Sequence, residues 1–193
     1  MNNSDFRFHR VAIFGGADIG IDHPLYQEVV AVATGLARLG KVVINGGGPG
    51  VMQAATAGAQ TAGGKAIAVT FVPRDMPSFE GQSHDNKPDE EIKTGNYIER
   101  MFGLMEQADV FICFRGGTGT ISEWATAWLM AHLQYPRHKP LILYGAFWHQ
   151  VMQVMIDNFL IDGIEQKVYR VVDNTDQLFA VMAELEKELP QLR

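Results

Sequence analysis

Cysteine occurs once in this chain, at Cys113. No intrachain disulfide can form. The residue lies within an apolar run, which marks it as a small buried hydrophobe rather than a nucleophile. Basic residues are also scarce: 16 against 22 acidic, for a net charge of −6. A sequence-independent grip on DNA or RNA needs a basic surface, so nucleic acid is not an expected partner. A small anion remains a possible ligand, because one pocket can be positive on an acidic protein. No uninterrupted apolar run reaches the ~18 residues of a membrane span, and the opening MNNSDFRFHR has no apolar signal core. The expectation is a cytoplasmic protein with no membrane partner. The six histidines show no ligand spacing and no carboxylate–histidine cluster is visible, so no metal site is expected. No serine sits in a G-x-S-x-G elbow.

Two familiar nucleotide motifs are missing as well. Gly15-Gly16-Ala17-Asp18-Ile19-Gly20 has alanine where the dinucleotide fingerprint needs its second glycine, and Asp18 would repel a pyrophosphate. Gly63-Gly64-Lys65 follows a helical pattern and precedes a strand, with Ala59 at the position of the first required glycine. It is a helix end, not a P-loop.

What is present is an alternation of short apolar runs and helical patterns. Strands are expected at 11–14, 42–44, 67–72, 110–114, 140–144 and 168–172. Helices are expected from Pro24 (capped by Asp22 or His23) to Gly40, and over 51–62, 94–108, 120 to about 133, 147–160 and 175–189. Such alternation implies a parallel sheet. The predicted architecture is α/β: a three-layer, Rossmann-like, doubly wound parallel sheet with helices on both faces. At 193 residues the chain is short for a TIM barrel of ~250 and suits one domain over 1–193. Residues 73–93 break the rhythm and read as a long surface loop, either a flap or disordered.

In this architecture ligands bind beyond the carboxyl ends of the strands, and the glycine-rich turns all follow strands. In Asp109–Trp124 (DVFICFRGGTGTISEW) an apolar strand ends in Gly116-Gly117-Thr118-Gly119-Thr120 and a helix begins at once. Unpaired N–H groups and the helix dipole there make a place for a phosphate. Glu123 follows in the first turn. Thr120-Ile121-Ser122-Glu123 also fits a T-x-x-E capping box, so its role is either structural or chemical. Gly46-Gly47-Gly48-Pro49-Gly50 carries more glycine than a turn requires, which implies close approach of a ligand or close helix–sheet packing. Arg100 lies on a mid-chain helix, where the default is a solvated or ion-paired side chain. These residues point to a phosphorylated small molecule and leave hydrolysis, transfer and carriage open.

Gly116-Gly117-Thr118-Gly119-Thr120-Ile121-Ser122-Glu123 matches the G-G-x-G-T-x-x-E signature of the Lonely Guy (LOG) family. Gly46-Gly47-Gly48-Pro49-Gly50-Val51-Met52 resembles its G-G-G-x-x-G-x-M signature, and Glu99-Arg100 falls in the helix that carries the family's arginine. The resemblance covers roughly residues 10–165. It implies a usually dimeric protein that hydrolyses the N-glycosidic bond of a nucleoside 5′-monophosphate. The substrate would be AMP or an N6-substituted AMP (a cytokinin nucleotide), and the products free base and ribose 5-phosphate. It further implies Arg100 and Glu123 as catalytic residues, and phosphate contacts from Gly46, Gly47, Gly48, Gly50, Gly116, Gly117, Thr118, Gly119 and Thr120. No cofactor is implied. Arg115 stands where the family has proline, and Met101 where it has lysine. Two other functions fit the same motifs: a carrier of a nucleotide or phosphorylated cofactor such as the molybdenum cofactor, and, less well given the charge, a DNA-binding relative. The Trp124/Trp128 face with Met130 and Leu133 suggests either a homodimer surface or core packing.

Overall fold

Short apolar strands set the middle layer. A computed structural model describes residues 8–73 and 83–188. Its strands are β1 (Arg10–Phe14), β2 (Val42–Asn45), β3 (Ala66–Phe71), β4 (Glu90–Thr94), β5 (Val110–Cys113), β6 (Leu141–Tyr144) and β7 (Tyr169–Val172). They form one sheet in the order β4-β3-β2-β1-β5-β6-β7, with every neighbouring pair parallel. The helices are α1 (Pro24–Arg38), α2 (Val51–Thr61), α3 (Tyr97–Gln107), α4 (Thr118–Gln134), α5 (Phe147–Asn158), α6 (Gly163–Lys167) and α7 (Thr175–Glu188). This is the Rossmann-like α/β architecture that the alternation predicts.

The period of two along each strand feeds both faces. Val11, Ile13, Val43, Val110 and Ile112 join the core beneath α1, α2 and α7. Ala12, Phe14, Ile44, Phe111 and Cys113 join the opposite core, beneath α3, α4 and α5. Strands buried on both sides read as unbroken apolar runs, which is why they are legible in the sequence. His23 caps α1, its ring nitrogen accepting the Leu25 N–H at 3.1 Å.

Besides the short helix α6, which the sequence reading lacks, the structure changes or settles that reading at four places. First, β4 lies inside the segment read as a loop. Its sequence, EEIKT, has one apolar residue, because it is an edge strand with little to bury. The β3 register, the Thr70 hydroxyl donating to Glu91 (2.7 Å) and the Lys65–Glu90 ion pair (2.6 Å) hold it. The flap or disorder expected of 74–82 falls outside the described residues. Second, α3 begins at Tyr97, not Thr94, because the Asn96 side chain caps it. Third, α4 begins at Thr118 with Gly117 as its cap. Glu123 is then the sixth helical residue, too far in for a capping box with Thr120. Fourth, the tryptophans are core: Trp124 packs on Trp148 with centroids 5.1 Å apart, and the Trp128 indole donates to the Glu165 carbonyl at 2.7 Å. They offer no dimer face.

Helices α1 and α2 touch where α2 has Gly58. A Cβ there would run into the backbone carbonyl of Val30. Alanine would gain about 1 kcal/mol of helix propensity against about 1–3 kcal/mol of overpacking. Gly58→Ala is therefore expected to lower stability, read as a lower urea midpoint with an unchanged slope; a midpoint equal to or above wild type would refute the contact.

Candidate functional site

Three loops meet at the carboxyl edge of the sheet. Because β1 lies between β2 and β5, the β1–α1 loop sits between the two glycine loops and joins them. The Gly16 N–H donates to the Arg115 carbonyl at 3.1 Å, and the Val51 N–H donates to the Gly16 carbonyl at 2.9 Å. A Cβ on Gly16 would stand 3.3 Å from the Gly116 Cα, and one on Gly50 would strike the Gly16 carbonyl. Gly15 and Gly16, which fail as a dinucleotide fingerprint, are the splice between the loops.

The Gly46–Gly50 loop is turned inward. Gly46, Gly47, Gly48 and Gly50 are all buried. The Gly47 N–H donates to the Asn45 side chain at 2.8 Å and the Gly48 N–H to the Met52 sulfur at 3.3 Å. The Asn86 amide closes the loop by donating to the Gly48 carbonyl at 2.8 Å. Gly46 is glycine because Arg100 passes over it: a Cβ would overlap the guanidinium. The close approach implied by the glycine count is thus, at Gly46, an arginine of the same chain.

The Gly116–Thr120 loop is the opposite case. Residues 115–119 are exposed, and no side chain caps α4. The helix start therefore presents its first N–H groups outward. Thr120 is only 6% exposed, and its hydroxyl fills the space where a Cβ on Gly116 would stand. The Arg115 guanidinium lies over the Phe147 ring, 4.4 Å from its centroid.

Arg100 and Glu123 come together beneath these loops, 3% and 7% exposed. Arg100 donates from Nε to the Val69 carbonyl (3.2 Å) and from one terminal nitrogen to the Gly46 carbonyl (3.1 Å). Its other terminal nitrogen lies 3.5 Å from the Glu123 carboxylate, an ion-pair separation rather than a good hydrogen bond. Met101 fills the seam between α3 and α4, with the Ser122 and Thr126 hydroxyls each 3.4 Å from its sulfur. Burial pushes the Glu123 carboxyl up to about 7, while the Arg100 charge pulls the other way. Burial, and then the Glu123 charge, hold the Cys113 thiol well above its usual range, so it is no nucleophile. Among the described residues no group of three or more His, Cys, Asp or Glu could hold a metal ion, and no helix is long and apolar enough to cross a membrane.

With this geometry in hand, comparison with known proteins is specific. The model of the SLOG cluster4 family matches residues 9–170. The chain belongs to that family. The LOG-type resemblance of the motifs agrees with the assignment. An uncharacterized protein of Archaeoglobus fulgidus is 30% identical over 118 residues, 61% of this chain and 72% of that one. The molybdenum cofactor binding protein of Rippkaea orientalis shares the SLOG member's fold with a TM-score of 0.68 at 22% identity, over 94% of this chain and 99% of its own. The Moco carrier protein of Chlamydomonas reinhardtii does so at 0.65 and 22%, over 95% and 100%. DNA processing protein A of Helicobacter pylori follows at 0.57 and 18%, over 91% and 80%.

The raised Glu123 value sets a sign for stability. A carboxyl with a folded pKa near 7 and an unfolded one of 4.5 contributes most below pH ~4.5 and loses that contribution as pH rises through ~7. Glu123→Gln removes the buried charge. Its stability relative to wild type is expected to rise between pH 5 and pH 8, by at most about 3 kcal/mol. Parallel denaturation curves at the two pH values check this; a difference that stays flat would mean the carboxyl is not shifted.

Proposed function

We propose that this protein is a nucleoside 5′-monophosphate phosphoribohydrolase acting on AMP or an N6-substituted AMP. The observation that carries the reading is a buried carboxylate with a raised pKa on the same helix as an exposed, uncapped N-terminus. Glu123 is the sixth residue of α4, so at ~1.5 Å per residue its Cα lies about 7.5 Å along the axis from the first. Helical side chains lean back toward the N-terminus, which shortens that gap to the reach of one ribose phosphate. A 5′-phosphate held by the first-turn N–H groups with the Thr118 and Thr120 hydroxyls brings its sugar to Glu123.

Breaking the bond between C1′ and the base nitrogen builds positive charge on the ribose. An ionised Glu123 stabilises that charge and takes a proton from the attacking water. The bonding electrons leave with the base, which takes up a proton, and the water oxygen ends on C1′. Arg100 keeps its proton at neutral pH and is no general acid. With two of its nitrogens on the Val69 and Gly46 carbonyls, it ties β3 to the loop after β2 and holds a positive charge against Glu123.

Incubation with AMP and N6-substituted AMP, followed by chromatography, is expected to show free base and ribose 5-phosphate. Glu123→Ala should lower the rate about 10²–10⁴-fold. The wild-type rate should rise with pH through about 7, where Glu123 ionises. Product formation equal in the two proteins, or none in either, would dismiss the hydrolase.

The fold shared with the Moco carrier protein over nearly the whole chain supports a second reading, a carrier of a phosphorylated cofactor. The same helix start would take that cofactor's phosphate. Ligand retained through purification with no product formed would favour it.

A homodimer belongs to the same proposal, through a different face from the one the tryptophans suggested. Ile98 and Phe102 on α3 and Ile121 and Leu129 on α4 are exposed. They fall at helical spacing on the outer sides of two neighbouring helices, an apolar strip of the kind that marks an interface. Sedimentation should give twice the chain mass of 21.4 kDa; a species of that single mass would reject the dimer.

A further inference from the structure

We propose that a cavity beside β4, on the opposite face of the sheet from Arg100 and Glu123, binds a small ligand through a primary ammonium group. This second site does not depend on the phosphate reading above.

Alternation along β3 separates the two sites. Ile67 and Val69 pack with Met101 and Leu104 of α3, so Ala68 and Thr70 face the other way. The loop after β2 divides in the same manner. A Cβ on Gly46 would overlap the Arg100 guanidinium, whereas one on Gly47 would stand 2.6 Å from the Thr70 methyl carbon. The chain from Ser83 to Pro88 crosses on this second side, the Ser83 N–H donating to the Gly47 carbonyl at 3.2 Å. Between that segment, Gly47, Ala68, Thr70 and Glu91 lies a cavity of about 250 Å³. It is a little smaller than the ~300–1,000 Å³ of sites for drug-sized ligands and far larger than one water needs.

The donors on its inner wall are already used. The Gly47 N–H goes to the Asn45 side chain (2.8 Å), the Thr70 hydroxyl to Glu91 (2.7 Å) and the Asn86 amide nitrogen to the Gly48 carbonyl (2.8 Å). Ser83 and His84 add side chains that can accept as well as donate. What remains is acceptor. Asn86 is 7% exposed, and its Oδ1 is buried with no hydrogen-bond partner among the described residues, a rare condition for a buried polar atom. The Glu91 carboxylate, exposed at the edge of the sheet, has lone pairs beyond the one facing Thr70 and a negative charge. The Lys93 ammonium lies 3.5 Å from its Oε2, but that side chain is 67% exposed, and such a pair holds weakly in water. A primary ammonium brings three donors and a positive charge, which suits one carboxylate and one amide oxygen. An anion would meet the Glu91 charge instead.

Three small molecules of one length test this: 4-amino-1-butanol, 1,4-butanediol and 4-hydroxybutyrate, titrated at pH 7 into the ¹⁵N-labelled full chain. The amine should shift the Gly47, Gly48 and Asn86 amide resonances saturably, and bind about tenfold more tightly than the diol or the carboxylate, the difference that a charged partner makes. Glu91→Gln keeps an acceptor for Thr70 and removes the charge. It should weaken the amine about tenfold and leave diol binding and melting temperature unchanged. Amine and diol binding alike overturns the proposal, as does equal amine affinity in variant and wild type. An amine that shifts none of those three resonances overturns it too, since the cavity would then hold water only. Should the variant fail to fold, the comparison of amine with diol in the wild type decides alone.

Discussion

The site depends on a guanidinium buried against two carbonyl oxygens, the Met52 sulfur, the Tyr97 ring and one carboxylate. Burying a charge is costly unless it is paired and hydrogen-bonded. Arg100 meets that condition through the Val69 and Gly46 carbonyls and through Glu123. Each requirement propagates. Gly46 has to lack a side chain. Asn45 has to turn the loop by accepting the Gly47 N–H. Glu123, sharing the burial, is pushed toward neutrality near physiological pH. A carboxyl poised there changes charge easily when a ligand or a proton arrives, the property that acid–base work demands.

The two glycine loops, alike in sequence, do different work. The loop after β2 is scaffolding: its N–H groups at Gly47 and Gly48 are spent on its own chain, and its Gly46 carbonyl accepts from the Arg100 guanidinium of α3. The loop after β5 is exposed and uncapped, and it is the one to which the proposed function assigns the phosphate. The β1 loop between them acts as a spacer that sets their separation through two backbone hydrogen bonds at Gly16. A side chain at Gly50 or Gly116 would wedge this junction apart, so the need for glycine here is mostly a need for chain to lie against chain.

Much of this was legible in advance, for physical reasons. Central strands announced themselves because burial on both faces leaves no polar residue in the run, as in VFIC of β5. Helix α1 showed its proline and its histidine cap. The edge strand β4 stayed hidden because EEIKT buries almost nothing; its pairing is set by β3, not by its own composition. The start of α4 was misplaced by two residues because T-x-x-E mimics a cap, while the real cap, Gly117, has no side chain to signal itself. The nearness of Arg100 to Glu123 was expected from family likeness alone, since no spacing rule links residues on separate helices. Asn45 before Gly46-Gly47 did carry a signal, since asparagine often bonds its own backbone two residues on.

The charged character of β4 has a consequence beyond the site. An open sheet edge is a template on which another chain can add a strand. Here that margin carries Glu90, Glu91 and Lys93, with Glu90 tied to Lys65 and Glu91 to Thr70. An incoming strand would have to strip water from these charges, so fibre-like growth from this side is disfavoured.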